Sequence, residues 1–198
     1  MNTFINKDNQ QGITRDINQK EYLFWLGGFF EGEGSASVSI SISSTFKFGV
    51  QLQPTFNVSQ HENGLPILQS FKDLFGSGYL VKKSGSDLVW VYTLKGYKNM
   101  IEKIIPFVDT YVSPFSCKRH EYDVFKEISL RLNSQEHLSQ EGLIKLVELA
   151  YTYQGKGKFR KRTLNEIIEI IVFVPISSPS ASNRNQRRPL GVQHPTGC

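Results

Sequence analysis

Two glutamates stand where a helix ought to repel them. In "YLFWLGGFFEGEG", residues 22–34, the apolar spacing predicts a helix that finishes on Glu31, with Glu33 two residues further on, between glycines. A helix C-terminus carries the negative end of the macrodipole, so an acid there costs about 0.3–1 kcal/mol. Keeping Glu31 in that place calls for a compensating cation, either a neighbouring Lys or Arg or a bound metal. The competing reading is a solvated acid after a frayed helix end.

The rest of the helix narrows the choice. Tyr22, Trp25 and Phe29 share one face and Leu23, Leu26 and Phe30 another, and both are core-like. Phe24, Gly27, Gly28 and Glu31 fall together on the remaining side. A glycine in a helix interior costs about 0.8–1 kcal/mol against alanine, so an adjacent pair needs a reason. Close approach of a second helix backbone is one. Such a seam would deliver Glu31 to whatever the second helix carries.

The composition bounds what that can be. At 198 residues, with 39% hydrophobic and 21% charged, the chain is long enough for one well-cored domain. A net charge of +5 and a pI near 9.1 favour an anionic partner, nucleic acid or a membrane surface. No apolar run approaches the ~18–20 residues that would span a bilayer. Two distant cysteines, Cys117 and Cys198, form no CxxC and suggest a reducing compartment. The scattered His61, His120, His137 and His194 give no HExxH zinc motif. The polar N-terminus has no secretory or transit character, so the expectation is a protein that stays where it is translated.

Along the chain, residues 1–18 are expected to form a flexible arm, 19–174 the domain, and 175–198, rich in Pro, Ser and Asn, a disordered tail. Asp16 or Asn18 would cap a helix over about 19–31. "SASVSISIS" alternates strictly, with Ala36, Val38, Ile40 and Ile42 against Ser35, Ser37, Ser39, Ser41 and Ser43, and predicts a half-buried strand. "FKFGVQLQPTFNVSQ" continues the alternation from Phe46 and predicts a second strand, with a bulge or an edge at Pro54. "GLPILQSFKDLFG" predicts a helix stopping at Gly76. "GYLVKKSGSDLVWVYTL" predicts a hairpin turning at Ser84-Gly85-Ser86. Helices are expected at roughly 96–105, 117–132 and 139–153, and a helix or late strand in "TLNEIIEIIVFV".

With the elements placed, "LGGFFEGEG", Leu26 to Gly34, resembles the LAGLIDADG motif of homing endonucleases. The resemblance continues through the alternating strand ending in "FNVSQ", the second hairpin, and "CKRHEYDVFK" opening a later helix. It covers roughly residues 20–132, and more loosely to about 165. It implies an α+β protein of mixed α-β-β-α-β-β-α order, with a curved antiparallel DNA-binding sheet and additional C-terminal helices. It also implies that two motif helices pack together and that their final acids hold divalent metal at the scissile phosphates. One copy of the motif then implies a homodimer with Phe24, Gly27 and Gly28 at the interface. The implied cofactor is Mg2+, or Mn2+ in its place, with no small-molecule cofactor. The metal role carries over to Glu31, where the family often has Asp. Glu33 takes a supporting place behind it. Gln60, closing "FNVSQ", matches a position that orients active-site water, and Lys118 matches a cation near the scissile phosphate.

A DNA target gives the polar strand faces a use. Ser35, Ser37, Ser39, Ser41, Lys47, Gln51, Gln53, Lys82 and Lys83 form an acid-free set of side chains of the kind that reads base edges. "GKGKFRKR", with Lys158, Arg160, Lys161 and Arg162, would add sequence-independent phosphate contacts. The resulting expectation is a metal-dependent, site-specific double-strand DNA endonuclease acting on a long pseudo-palindromic target. It would be intron-encoded and organellar, translated in place in a mitochondrion or chloroplast, with a bacterial cytoplasm as the alternative. Two rivals share the fold: an RNA maturase that assists intron splicing, and a DNA-binding protein that has lost cleavage.

Overall fold

The structure is a computed structural model that describes residues 18–153 and 160–173. Helix α1 (Gln19–Glu33) starts at Asn18, whose side-chain carbonyl accepts the Lys20 N–H at 3.0 Å. It runs directly into strand β1 (Gly34–Ile42), with no connecting residue. Strand β2 (Val50–His61), helix α2 (Leu65–Phe75) and the hairpin of β3 (Tyr79–Lys82) and β4 (Val89–Lys95) follow. A short α3 (Tyr97–Asn99) passes through a π turn (Met100–Ile104) into α4 (Ile105–Tyr111). Then come α5 (Arg119–Asn133), α6 (Gln140–Tyr153) and α7 (Leu164–Phe173). The described residues thus have the α+β order the sequence predicts, and Leu164–Phe173 is helical. Thr163 and Glu166 cap α7 reciprocally: the Glu166 carboxylate accepts from the Thr163 N–H at 2.6 Å.

The four strands form one antiparallel sheet in the order β1-β2-β4-β3. Alternation sorts its faces. Val38, Leu52, Phe56, Val58, Tyr92 and Leu94 are buried beneath the helices. Phe56 is the hub. It stacks on Phe30 of α1 at 4.4 Å between ring centroids and meets Phe75 of α2 edge-on at 5.6 Å. Burying an aromatic side chain of this size contributes about 1.5–3 kcal/mol, so these contacts fix α1 and α2 on the sheet. The odd-numbered residues make the opposite, open face.

Three local expectations change, and at Pro54 the edge alternative holds rather than the bulge. The alternation from Phe46 does not continue as strand, because residues 43–49 fold into a turn. The Ser43 hydroxyl accepts the Thr45 N–H, and Gly49 and Phe46 close it with backbone bonds. Pro54 makes no bulge. The β1–β2 register is continuous through Val38↔Pro54, and the β4 ladder ends one residue earlier, at Thr55↔Lys95, so Pro54 owes that side no N–H. The helix expected to end near 105 reaches Tyr111 despite Pro106. The Ile105 N–H bonds back to Met100 rather than to the usual fourth residue, and this wider turn accommodates the ring. Lastly, Trp25 is half-exposed rather than in the core.

Candidate active site and nucleic-acid face

Glu31 lies at the C-terminal end of α1 beside the loop that leads into α5. Its carboxylate accepts the Ser116 hydroxyl at 2.8 Å and the Cys117 N–H at 3.2 Å, and the Cys117 thiol lies 3.3 Å away. The compensating cation is Lys118. Its ammonium donates to the Glu31 backbone carbonyl, neutralising the helix end itself rather than the carboxylate. A cleft of about 170 Å³ opens here, lined among others by Glu31, Ser35, Ser116, Lys118 and Tyr122. Burial pushes the Tyr122 phenol far up, with Asp109 adding to the shift, so it stays protonated at neutral pH. It donates to the Ile105 carbonyl.

The structure thus brings Glu31 and Lys118 together, 87 residues apart in sequence. Glu33 is exposed at the last position of α1, outside the cleft. Gln60 also lies outside it. Its register partner is Trp90, its side-chain carbonyl accepts the His61 N–H at 2.8 Å, and its stem packs on Gly64. Sequence reading missed Ser116 and Cys117, because only closure of the fold sets them against Glu31.

The glycine face is rotated from its expected place. Gly27 is buried against the chain's own α4: a Cβ there would sit 2.6 Å from the Tyr111 carbonyl oxygen. It therefore does not line a free interface. Phe24 meets the Tyr111 ring edge-on at 5.1 Å but stays 38% exposed. Gly28 and Gly32 have nothing within 4 Å of a Cβ position. With Glu21 and Trp25, at spacings of four, three and four, they form the open stripe of α1.

On the open sheet face, cross-strand rows follow from the register. One row is Ser35, Asn57, Thr93 and Tyr79, another Ser37, Thr55 and Lys95, then Ser39 with Gln53 and Ser41 with Gln51. The Thr93 hydroxyl and the Asn57 side-chain carbonyl are bonded at 2.8 Å. No acid falls on this face among the described strand residues. Two expected members do not belong to it. Lys47 sits on the 43–49 turn and donates to the Leu138 carbonyl at 2.8 Å. Lys82 pairs with Trp90 on the helix side of the sheet, its ammonium 5.8 Å from the ring centre. By alternation Lys83 and Lys95 belong to the open face instead.

Of the basic run, Lys158 lies outside the described residues. Arg160 turns inward, donating to the Ala150 carbonyl at 2.7 Å and stacking 4.1 Å over Tyr151. Lys161 and Arg162 are exposed.

These features define an α+β protein in which a helix-end carboxylate, held by two successive residues of a distant loop whose next residue holds the helix end itself, adjoins an open sheet face with no acid among its described strand residues. The chain belongs to the LAGLIDADG endonuclease family, whose model matches residues 26–129, more than half of its length. It is 36% identical over 126 residues to DNA endonuclease I-CeuI of Chlamydomonas moewusii, covering 63% of this chain and 58% of that protein. It is 29% identical over 151 residues to the homing endonuclease I-ApeII of Aeropyrum pernix, covering 74% and 88%. Among solved structures it superposes on the archaeal intron-encoded homing endonuclease I-Vdi141I, determined in complex with DNA. The TM-score is 0.71 and the identity 32%, over 79% of this chain and 98% of that one.

Proposed function

We propose that this protein is a site-specific double-strand DNA endonuclease that acts as a homodimer with a divalent metal, Mg2+ by preference. The observation that carries the reading is the clamped carboxylate of Glu31 beside the acid-free sheet face. The donor set suits such an ion. The Glu31 oxygen bonded to Ser116 accepts that one donor and keeps a second lone pair, while the other accepts the Cys117 N–H and faces its thiol. No three His, Cys, Asp or Glu side chains cluster among the described residues. One carboxylate per chain matches a hard cation that keeps most of its shell as water and phosphate oxygen.

In this mechanism the Ser116 hydroxyl and the Cys117 amide hold Glu31 in one orientation, so no reorganisation is needed at the phosphate. Lys118 cancels the negative helix end and adds a fixed positive charge at the cleft mouth. Tyr122 remains protonated and takes no part as a base. When bound, the metal supplies charge neutralisation at the phosphoryl oxygens and acidifies water for in-line attack. The open stripe of Glu21, Trp25, Gly28 and Gly32, flanked by Phe24, supports docking of a second α1 and so a pair of Glu31 carboxylates. Gln60 reaches the reacting water only if DNA or the partner helix draws it from its bond to His61. Glu33, exposed outside the cleft, acts through solvent. I-Vdi141I is intron-encoded, which supports the same origin here, and an organellar gene translated in place is the setting this reading favours.

The test uses a duplex selected from a randomised pool by the whole chain in metal-free buffer. With Mg2+ the parent should cut that duplex, with EDTA it should not, and Glu31→Gln should bind it as well as the parent while leaving it intact. Cutting by Glu31→Gln, or failure to retain any duplex, overturns the reading. Failure to cut together with faster splicing of the surrounding intron RNA would favour the maturase role.

A further inference from the structure

The open sheet face changes character from one side to the other. Around β1 and β2 it consists of Ser, Gln, Thr and Asn, ending at His61 opposite Val89. At the β3–β4 corner the same face carries Tyr79, Val81, Val91 and Val89, brought together by the pairs Tyr79↔Thr93 and Val81↔Val91. Tyr79 is 46% and Val81 45% exposed, while Val91 and Val89 are half-buried beside them. Lys95 holds its ammonium 5.9 Å from the Tyr79 ring centre, and Lys83 closes the other end of the patch with its N–H on the Val89 carbonyl. The corner is thus apolar, bordered by two cations, without an acid among its strand residues, and continuous with the polar half.

An apolar group on a nucleic-acid surface has one good partner in the major groove, the C5-methyl of thymine, which no other base presents there. The flanking lysines suit the phosphates on either side of such a groove. We infer that the Tyr79–Val81–Val91 corner selects thymine by its methyl group, while the β1–β2 half reads hydrogen-bonding edges. The patch lies about 10–14 Å from β1, two to three strand spacings away, so the selected thymines flank the base pairs that are cut. This inference rests on the endonuclease reading and specifies which bases one part of that surface prefers.

The experiment uses the whole chain and duplexes selected from a randomised pool without metal, then remade with deoxyuridine in place of thymine outside the central base pairs. The parent should lose about fourfold in affinity for each contacted methyl removed, the factor set by the transfer of one such group from water. Val81→Thr keeps the shape and replaces a methyl with a hydroxyl, so its loss on the same exchange should be smaller. Ser39→Ala, on the polar half, should lose as much as the parent. If deoxyuridine leaves parental affinity unchanged, or if Val81→Thr and the parent lose equally, the inference is wrong. It is equally wrong if Val81→Thr lowers the solution mass while the exchange has no effect, since the patch would then hold a second copy. Those outcomes leave the endonuclease reading standing. A chain that enriches no duplex at all sinks both.

Discussion

Ser116 separates holding the carboxylate from building the fold. It is a half-buried loop residue whose hydroxyl bonds Glu31 at 2.8 Å and accepts the Lys118 N–H at 2.9 Å. A hydrogen bond to a charged group contributes about 1.5–3 kcal/mol in full burial, and exposure brings this nearer one. Ser116→Ala should therefore lower the cleavage rate constant about tenfold with little change in DNA affinity, and Ser116→Thr should restore much of it. Single-turnover cleavage read beside a binding isotherm checks this, and equal losses in both would contradict it. A second residue-scale expectation concerns Glu136, which Arg131 grips through two bonds of 2.6 and 2.7 Å. Those bonds hold its carboxyl below the usual range. A lowered folded value means that the stabilisation is complete above the ordinary glutamate pKa and fades as pH falls through the folded one. Glu136→Gln should thus melt below the parent at pH 7, with the gap closing as the pH falls below the ordinary glutamate range. Glu31 was legible in the sequence because an acid at the wrong end of a helix is a local anomaly. Its holders were not, since nothing near Ser116 or Cys117 points across 85 residues.

At the scale of elements, the paired glycines of α1 answer to different neighbours. Gly27→Ala drives a methyl into the Tyr111 carbonyl, backbone that cannot swing aside, and should cost about 1–3 kcal/mol. For a chain of this size each kcal/mol lowers the melting temperature by about 2–4 °C. Gly28→Ala meets nothing and gains up to about 1 kcal/mol of helix propensity. It should leave melting at low concentration unharmed while weakening self-association in sedimentation experiments. A Gly28→Ala chain that assembles like the parent would remove α1 as the docking face. Periodicity puts Gly27 and Gly28 on one face, whereas the structure buries Gly27 against Tyr111 and leaves Gly28 open. Glycine spacing reveals that something approaches closely, but not whether it comes from the same chain. The same limit explains residues 43–49, where period two persists in residue types while Ser43 and Thr45 satisfy the backbone locally. It also explains Lys82 and Lys83, where one residue of register decides which side of the sheet a cation serves.

Across the whole molecule, the positive balance should appear as salt dependence. Each phosphate neutralised contributes about −0.9 to the slope of log K against log salt. Lys83→Ala and Lys161→Ala should each flatten that slope by roughly one contact. Lys82→Ala, on the helix side over Trp90, should leave it unchanged. Measuring affinity from low to physiological salt distinguishes the three, and a slope change for Lys82→Ala equal to that of Lys83→Ala would show that the sheet meets DNA differently.

One last consequence lies in the junction at Glu33 and Gly34, where helix becomes strand without a residue between them. The Phe30 ring fills the space a side chain on Gly34 would need, so the joint has no slack. The acid on one side and the serines on the other are parts of a single rigid ruler. Under the endonuclease reading, the distance between the letters recognised and the bond broken is then a property of one backbone joint. A single residue inserted there would turn the serines inward and end site-specific scission outright, rather than move the cut by one nucleotide.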